Sequence, residues 1–222
     1  MRLNSILSAI SLSALMSMPA LAQDDMSVDQ LRQLFEKQKQ AFKEASSNPQ
    51  GKTRGLRLVT VEDVAPQTAT GGGAQVAATA AAPTAAAQAP DGITPVAADP
   101  NEPLVFGQLD PELQVNLHIE FGFDSAALSE TERPKLTKMC QVLSTGAVEK
   151  VRIVGHTDAA GSDAYNERLS VMRAEEVARA LVDDCGVPAD HIETLGLGER
   201  FPFNADNPRA DENRRVEFQA LS

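Results

Sequence analysis

Residues 65–100 divide this chain of 222 residues, because they cannot build a core. They hold 14 alanines, five prolines, the run Gly71-Gly72-Gly73 and only two charges, Asp91 and Asp99. Alanine buries little area and proline breaks helices, so a flexible linker is expected. As a coil it would span roughly 30–35 Å, from ~5–6 Å times the root of its length. Folded structure must then lie in residues 23–64, in 101–222, or in both. The second stretch, about 120 residues, is long enough to bury a core by itself.

The formal net charge is −11. Such an acid excess argues against nucleic acid, which selects basic stripes, and against anionic membrane surfaces. Residues 1–22 read as a signal peptide. Arg2 supplies the positive start, residues 6–19 are uncharged and apolar or small, and Ala20-Leu21-Ala22 suits cleavage before Gln23. A membrane anchor would need about 20 apolar residues, and serines interrupt this shorter run. No cysteine follows it, so no lipid-bearing cysteine is expected there. No later segment is apolar enough to span a bilayer, and no series of alternating strands suggests a barrel. The expected mature chain is periplasmic, without a transmembrane segment.

Within residues 23–64, positions 26–46 carry Val28, Leu31, Leu34, Phe35 and Phe42 at steps near three and four, an amphipathic helix ended by Asn48-Pro49. One such helix cannot bury its stripe alone. It must self-associate, dock elsewhere or stay marginal, and an envelope protein is one candidate partner. Residues 55–61 alternate as a single strand would.

Residues 101–222 imply an α+β fold, a small mixed β-sheet with helices on one face. Val115, Leu117, Ile119 and Phe121 alternate with polar residues, giving a strand. A helix should start near Ser129 or Thr131, with Ser129 and Glu132 as a capping box. Val151–Val154 form a second strand, followed by a polar loop from Gly155 to Asp163. A long helix, about 164–184, is stopped by Gly186 and Pro188. His191–Leu197 and Arg215–Gln219 are further strands.

On the long helix, Val171, Ala174, Val177, Ala178 and Leu181 share the core face. Asn166, Ser170 and Arg173 share an adjacent side. That polar stripe faces the preceding loop, where Thr157 and Asp158 sit at a strand end. A carboxylate and a guanidinium beside one pocket can hold a zwitterion: Asp158 for an ammonium, Arg173 for a carboxylate through a two-bond fork. The competing reading is a surface ion pair of little energetic value.

The stretch Gly155 to Ala174, with Phe123-Asp124-Ser125 before it and Gly198-Glu199 and Asn213-Arg214-Arg215-Val216-Glu217 after it, resembles the OmpA C-terminal-like peptidoglycan-binding domain. Its pattern Asn-x-x-Leu-Ser-x-x-Arg-Ala-x-x-Val is met by Asn166, Leu169, Ser170, Arg173, Ala174 and Val177. The resemblance covers roughly residues 101–222. It implies that Asp158 and Arg173 bind the meso-diaminopimelate of the wall peptide, and that Asp124, Thr157 and Asn166 line the pocket. Arg214 and Arg215 would lie at the pocket edge. Peptidoglycan is then the expected partner, with a protein-interaction adaptor on the same fold as the alternative. Residues 23–64 lie outside the resemblance.

Other chemistry has little support. His118, His156 and His191 lack metal-ligand spacing. Ser170 has no histidine at helical spacing to activate it. No feature supplies the cleft that a pair of hydrolytic carboxylates needs. A binding protein without cofactor or metal is expected rather than an enzyme. Cys140 and Cys185 each fall late in a helix and just before a strand, and an even count in an exported chain favours a disulfide. Two buried free thiols are the alternative.

Overall fold

The computed structural model describes residues 26–48, 52–60, 92–95, 105–122 and 125–222. The expected signal peptide, most of the 65–100 stretch and Asp124 lie outside them.

Helix α1 spans Val28–Ser47 and starts in a capping box, with Ser27 accepting from Gln30 N and the Gln30 side chain accepting from Ser27 N. Strands β1 (Lys52–Thr53), β2 (Leu56–Thr60) and β4 (Val105–Leu109) form an antiparallel sheet in the order β1-β2-β4. The second sheet has the order β3-β7-β6-β8-β5, from β3 (Thr94–Pro95), β5 (Val115–Leu117), β6 (Val151–Gly155), β7 (Ile192–Gly196) and β8 (Val216–Ala220). β3, β7 and β6 run parallel, whereas β8 is antiparallel to β6 and to β5. The mixed sheet and its helices match the expected α+β class.

Helix α2 (Thr137–Leu143) and helix α3 (Asp163–Cys185) cover one sheet face. Ile153, Val216 and Phe218 meet Ala174, Val177, Ala178 and Leu181 in the main core. α3 lies unusually close to the sheet. A Cβ on Gly155 would stand 2.1 Å from Ser170 O, and one on Gly196 2.5 Å from Val171 N. Gly186 ends α3 with φ +65, a left-handed cap that closes on Leu181 O and Val182 O.

Three expectations change. The capping box at Ser129 and Glu132 does not form. Ser129 Oγ pairs with Thr131 Oγ1, and Glu132 instead accepts from Glu120 N. Pro134 sits in a single 3-10 turn, Arg133–Leu136, before α2 begins. The strand at Val115 ends at Leu117, although Ile119 remains buried. Residues 92–95, read as linker, belong to the sheet, with Ile93 buried in the main core and β3 paired to β7.

The N-terminal helix docks, one of the three outcomes open to its stripe. Most of its stripe packs on this same chain. Leu31 and Phe35 join the main core, while Ala41, Phe42 and Ala45 pack with Leu56 and Leu109. Gln38, fully buried, donates to Leu113 O (2.6 Å) and Phe218 O (3.2 Å) and accepts from Ala220 N (2.8 Å). The β2–β4 ladder brings Thr60 opposite Val105, so the Ala/Pro-rich segment leaves and re-enters one folded body.

Candidate functional site

The site forms where β6 and β8 meet the loops that follow or precede them. Asp158 follows β6, and its Oδ1 accepts from Ala160 N at 2.9 Å, a turn that fixes the carboxylate. Its Oδ2 accepts from Arg214 Nη1 at 2.7 Å, and Arg214 Nη2 reaches Asp211 Oδ1 at 2.8 Å. These two carboxylates outweigh partial burial and raise the Arg214 pKa above its usual value, with the hydrogen bond to Asp158 the largest cause.

Arg173 enters from α3. Only 8% of the residue is exposed, its guanidinium lies 4.7 Å from the Phe121 ring centroid, and Nε donates to Ser125 O at 3.4 Å. Among the described residues it forms no ion pair. Burial lowers its pKa below the ordinary guanidinium value; the nearby Tyr165 and Asp158 counter this, and Arg214 adds to it. A cavity of about 310 Å³ is lined by Arg173, Arg214, Asp211, His118, Glu120 and Phe121. The cavity is therefore bounded by a desolvated cation without a carboxylate partner among the described residues and by an Arg214 already neutralised from two sides.

The other expected site residues divide. Asn166 braces the loop rather than lining the cavity: its Nδ2 donates to Asp158 O (3.2 Å) and to the buried Glu199 Oε2 (2.5 Å). Ser170 is likewise occupied, accepting from Gly198 N at 2.9 Å. Thr157 is buried, its N–H donating to Gly198 O, and its hydroxyl has no partner among the described residues. Arg214 lines the cavity, but Arg215 does not. Successive residues of an extended chain point to opposite faces. Arg215 therefore turns to the far side, donating to Asn116 Oδ1 and Phe201 O, and burial pushes its pKa down to about 10. Phe121 and Asp211 carry no sequence signal for these roles, whereas Glu199 stands in the Gly198-Glu199 pair that the resemblance already includes. Phe121 reads simply as one apolar position of an alternating strand.

Cys140 and Cys185 are bonded, with Cα atoms 5.2 Å apart, joining α2 to the end of α3. Among the described residues no group of three or more His, Cys, Asp or Glu side chains could hold a metal ion. No described helix is long and apolar enough to cross a membrane.

Residues 120–215 match the OmpA family. This stretch is an OmpA-family domain. Over 107 residues the chain is 40% identical to the outer-membrane lipoprotein YfiB of Pseudomonas aeruginosa, covering 47% of this chain and 63% of that protein. Outer membrane porin F of the same organism is 34% identical over 110 residues, 48% of this chain and 31% of the porin. The chain thus spans less than two thirds of these curated relatives. The solved peptidoglycan-associated lipoprotein of Burkholderia pseudomallei aligns at a TM-score of 0.40 with 31% identity, over 46% of this chain and 86% of that one. In this chain the OmpA-family domain is joined by α1 and the β1-β2-β4 sheet, both outside the matched range.

Proposed function

We propose that this protein binds peptidoglycan in the periplasm, without catalysis, through the free end of diaminopimelate in the stem peptide. That end carries an ammonium and a carboxylate on one carbon. Arg173 takes the carboxylate through its two-bond fork, and Asp158, still held by Arg214, takes the ammonium. Asn166 and Thr157 keep the Asp158 loop in place. The observation that carries the reading is Arg173: a buried cation facing a cavity, with no carboxylate partner among the described residues. A desolvated cation of this kind is stabilised when an anionic ligand arrives. The names of the relatives, an outer-membrane lipoprotein and a peptidoglycan-associated lipoprotein, support an envelope role.

Co-sedimentation with purified sacculi tests this. Arg173→Ala and Asp158→Ala are each expected to weaken binding ~30-fold or more, since losing one partner of a desolvated pair costs about 2–5 kcal/mol. Arg173→Lys should also weaken it, because an ammonium cannot reproduce the fork. Free meso-diaminopimelate should compete. Wild-type pelleting by both folded alanine variants would overturn the assignment. Pelleting that diaminopimelate does not inhibit would overturn the choice of ligand.

A further inference from the structure

The two faces of the five-stranded sheet are buried by different means. One meets α2 and α3 through aliphatic side chains. The other is covered by the β1-β2-β4 sheet, where Val59 and Phe106 pack on Val154, Leu195, Leu197 and Phe201. Beneath that cover lie charged and polar side chains: Glu217 is 1% exposed, Arg215 6%, Gln219 0% and His156 1%. One hydrogen bond from this group crosses to the cover, Gln219 Nε2 to Gly107 O at 2.8 Å. Three buried atoms in the group have no hydrogen-bond partner among the described residues: His156 Nδ1, Arg215 Nη1 and Gln219 Oε1. Each such atom is a desolvation cost that opening the cover relieves.

We propose that the β1-β2-β4 sheet is an acid-released cover, opened by protonation of His156. The described groups around that imidazole are few. Glu217 of β8 lies 3.3 Å from Nε2, and Arg215, just before β8, pairs more loosely with Glu217 at 3.8 Å. β4 presents only the Phe106 ring, edge-on at 6.5 Å between centroids. A second cation therefore finds one carboxylate, already shared with Arg215 and with Gln219 at 2.8 Å. Burial first, then Arg215, lowers the His156 pKa from 6.5 to about 4, against the opposing pull of Glu217.

A base with a depressed pKa binds its proton more readily once exposed. Closure is therefore fully favourable above pH 6.5 and is lost progressively as pH falls from 6.5 towards 4. Glu217 acts in the same direction at the acid end. Burial alone would raise its pKa, but His156, Arg215 and Gln219 outweigh that and hold it below the usual carboxylate value. The candidate ligand site lies on the other side of the same chain segments, through Asp158 and Arg214, and α1 keeps Leu31 and Phe35 in the main core. Release should therefore be local.

Amide hydrogen exchange on the full chain, corrected for intrinsic rates, reads this directly. Between pH 7 and pH 4.5 the opening constant for residues 56–60 and 105–109 should rise on the order of 50-fold by one-proton linkage. Amides of α3, β6 and β7 should keep their protection, and His156→Gln should abolish the difference. If that variant fails to fold, the wild-type His156 imidazole resonance decides, with an expected titration midpoint near 4. A midpoint at 6 or above, an unchanged opening constant, or equal loss of protection in α3 would each overturn the proposal.

Discussion

Replacing Gln38 with leucine tests whether the N-terminal helix is part of the fold or an accessory. Leucine is of similar size and suits a helix, so neither a large cavity nor lost propensity dominates. What disappears is three hydrogen bonds to backbone groups: from Gln38 to Leu113 O and Phe218 O, and from Ala220 N to Gln38. The N–H of Ala220 suffers most. It donates to Gln38 Oε1 and lies in a fully buried residue. Leaving it unmatched costs about 1–3 kcal/mol, and each weakened carbonyl adds about 0.5–1.5 kcal/mol. We expect a loss of about 3 kcal/mol. In urea, with a slope near 2 kcal/mol/M, the midpoint should fall by about 1.5 M at unchanged slope. Far-ultraviolet circular dichroism on the full chain supplies the curve. A loss below about 1 kcal/mol would refute the view that α1 is keyed into the sheet through this amide.

Asn166→Ala should cost about 2–3 kcal/mol by leaving the buried Glu199 carboxylate unpaired, and it should weaken sacculus binding by loosening the Asp158 loop. Thermal unfolding and co-sedimentation of the same preparation report both. Gly155→Ala sets a methyl against Ser170 O on α3 and should cost about 3 kcal/mol, the upper end of overpacking; a neutral melting temperature would show that α3 can retreat. The Cys140→Ser, Cys185→Ser double variant opens a loop of sequence separation 45, and loop-closure entropy predicts a loss of about 4 kcal/mol. Intact mass under denaturing alkylation should find no free thiol in the wild-type protein.

Much of the domain was legible because its signals are local. The 3.6-residue spacing of Ala174, Val177, Ala178 and Leu181 specifies the buried face of α3, and Gly186 specifies its end. The opposite charges of Asp158 and Arg173 also stand in plain sight. The tertiary choices were not legible. Nothing local distinguishes Asn166 facing a ligand from Asn166 bracing a loop, because the carbonyl it meets belongs to a chain reversal eight residues earlier. Gln38 falls inside the apolar stripe, between Phe35 and Phe42, so its burial was legible, but its backbone partners at the sheet edge beyond β5 were not. The sheet role of residues 92–95 was illegible for a similar reason. Composition says what a segment cannot pack into, but not where its two ends are fastened.

That fastening has a mechanical consequence. If the N-terminal end is held elsewhere in the envelope while the Arg173 cavity grips the wall, tension does not first meet an entropic spring. It meets α1 in its groove and then the β2–β4 ladder, because Thr60 and Val105 sit side by side. Below the force that strips those elements, the molecule is a short stiff link. Above it, residues 61–91 come into the load path and add up to about 100 Å of contour, at ~3.3–3.6 Å per residue. The OmpA-family domain, its disulfide and its hold on the wall remain behind the break. The protein would behave as a fuse, stiff under small strain and lengthening only after a threshold.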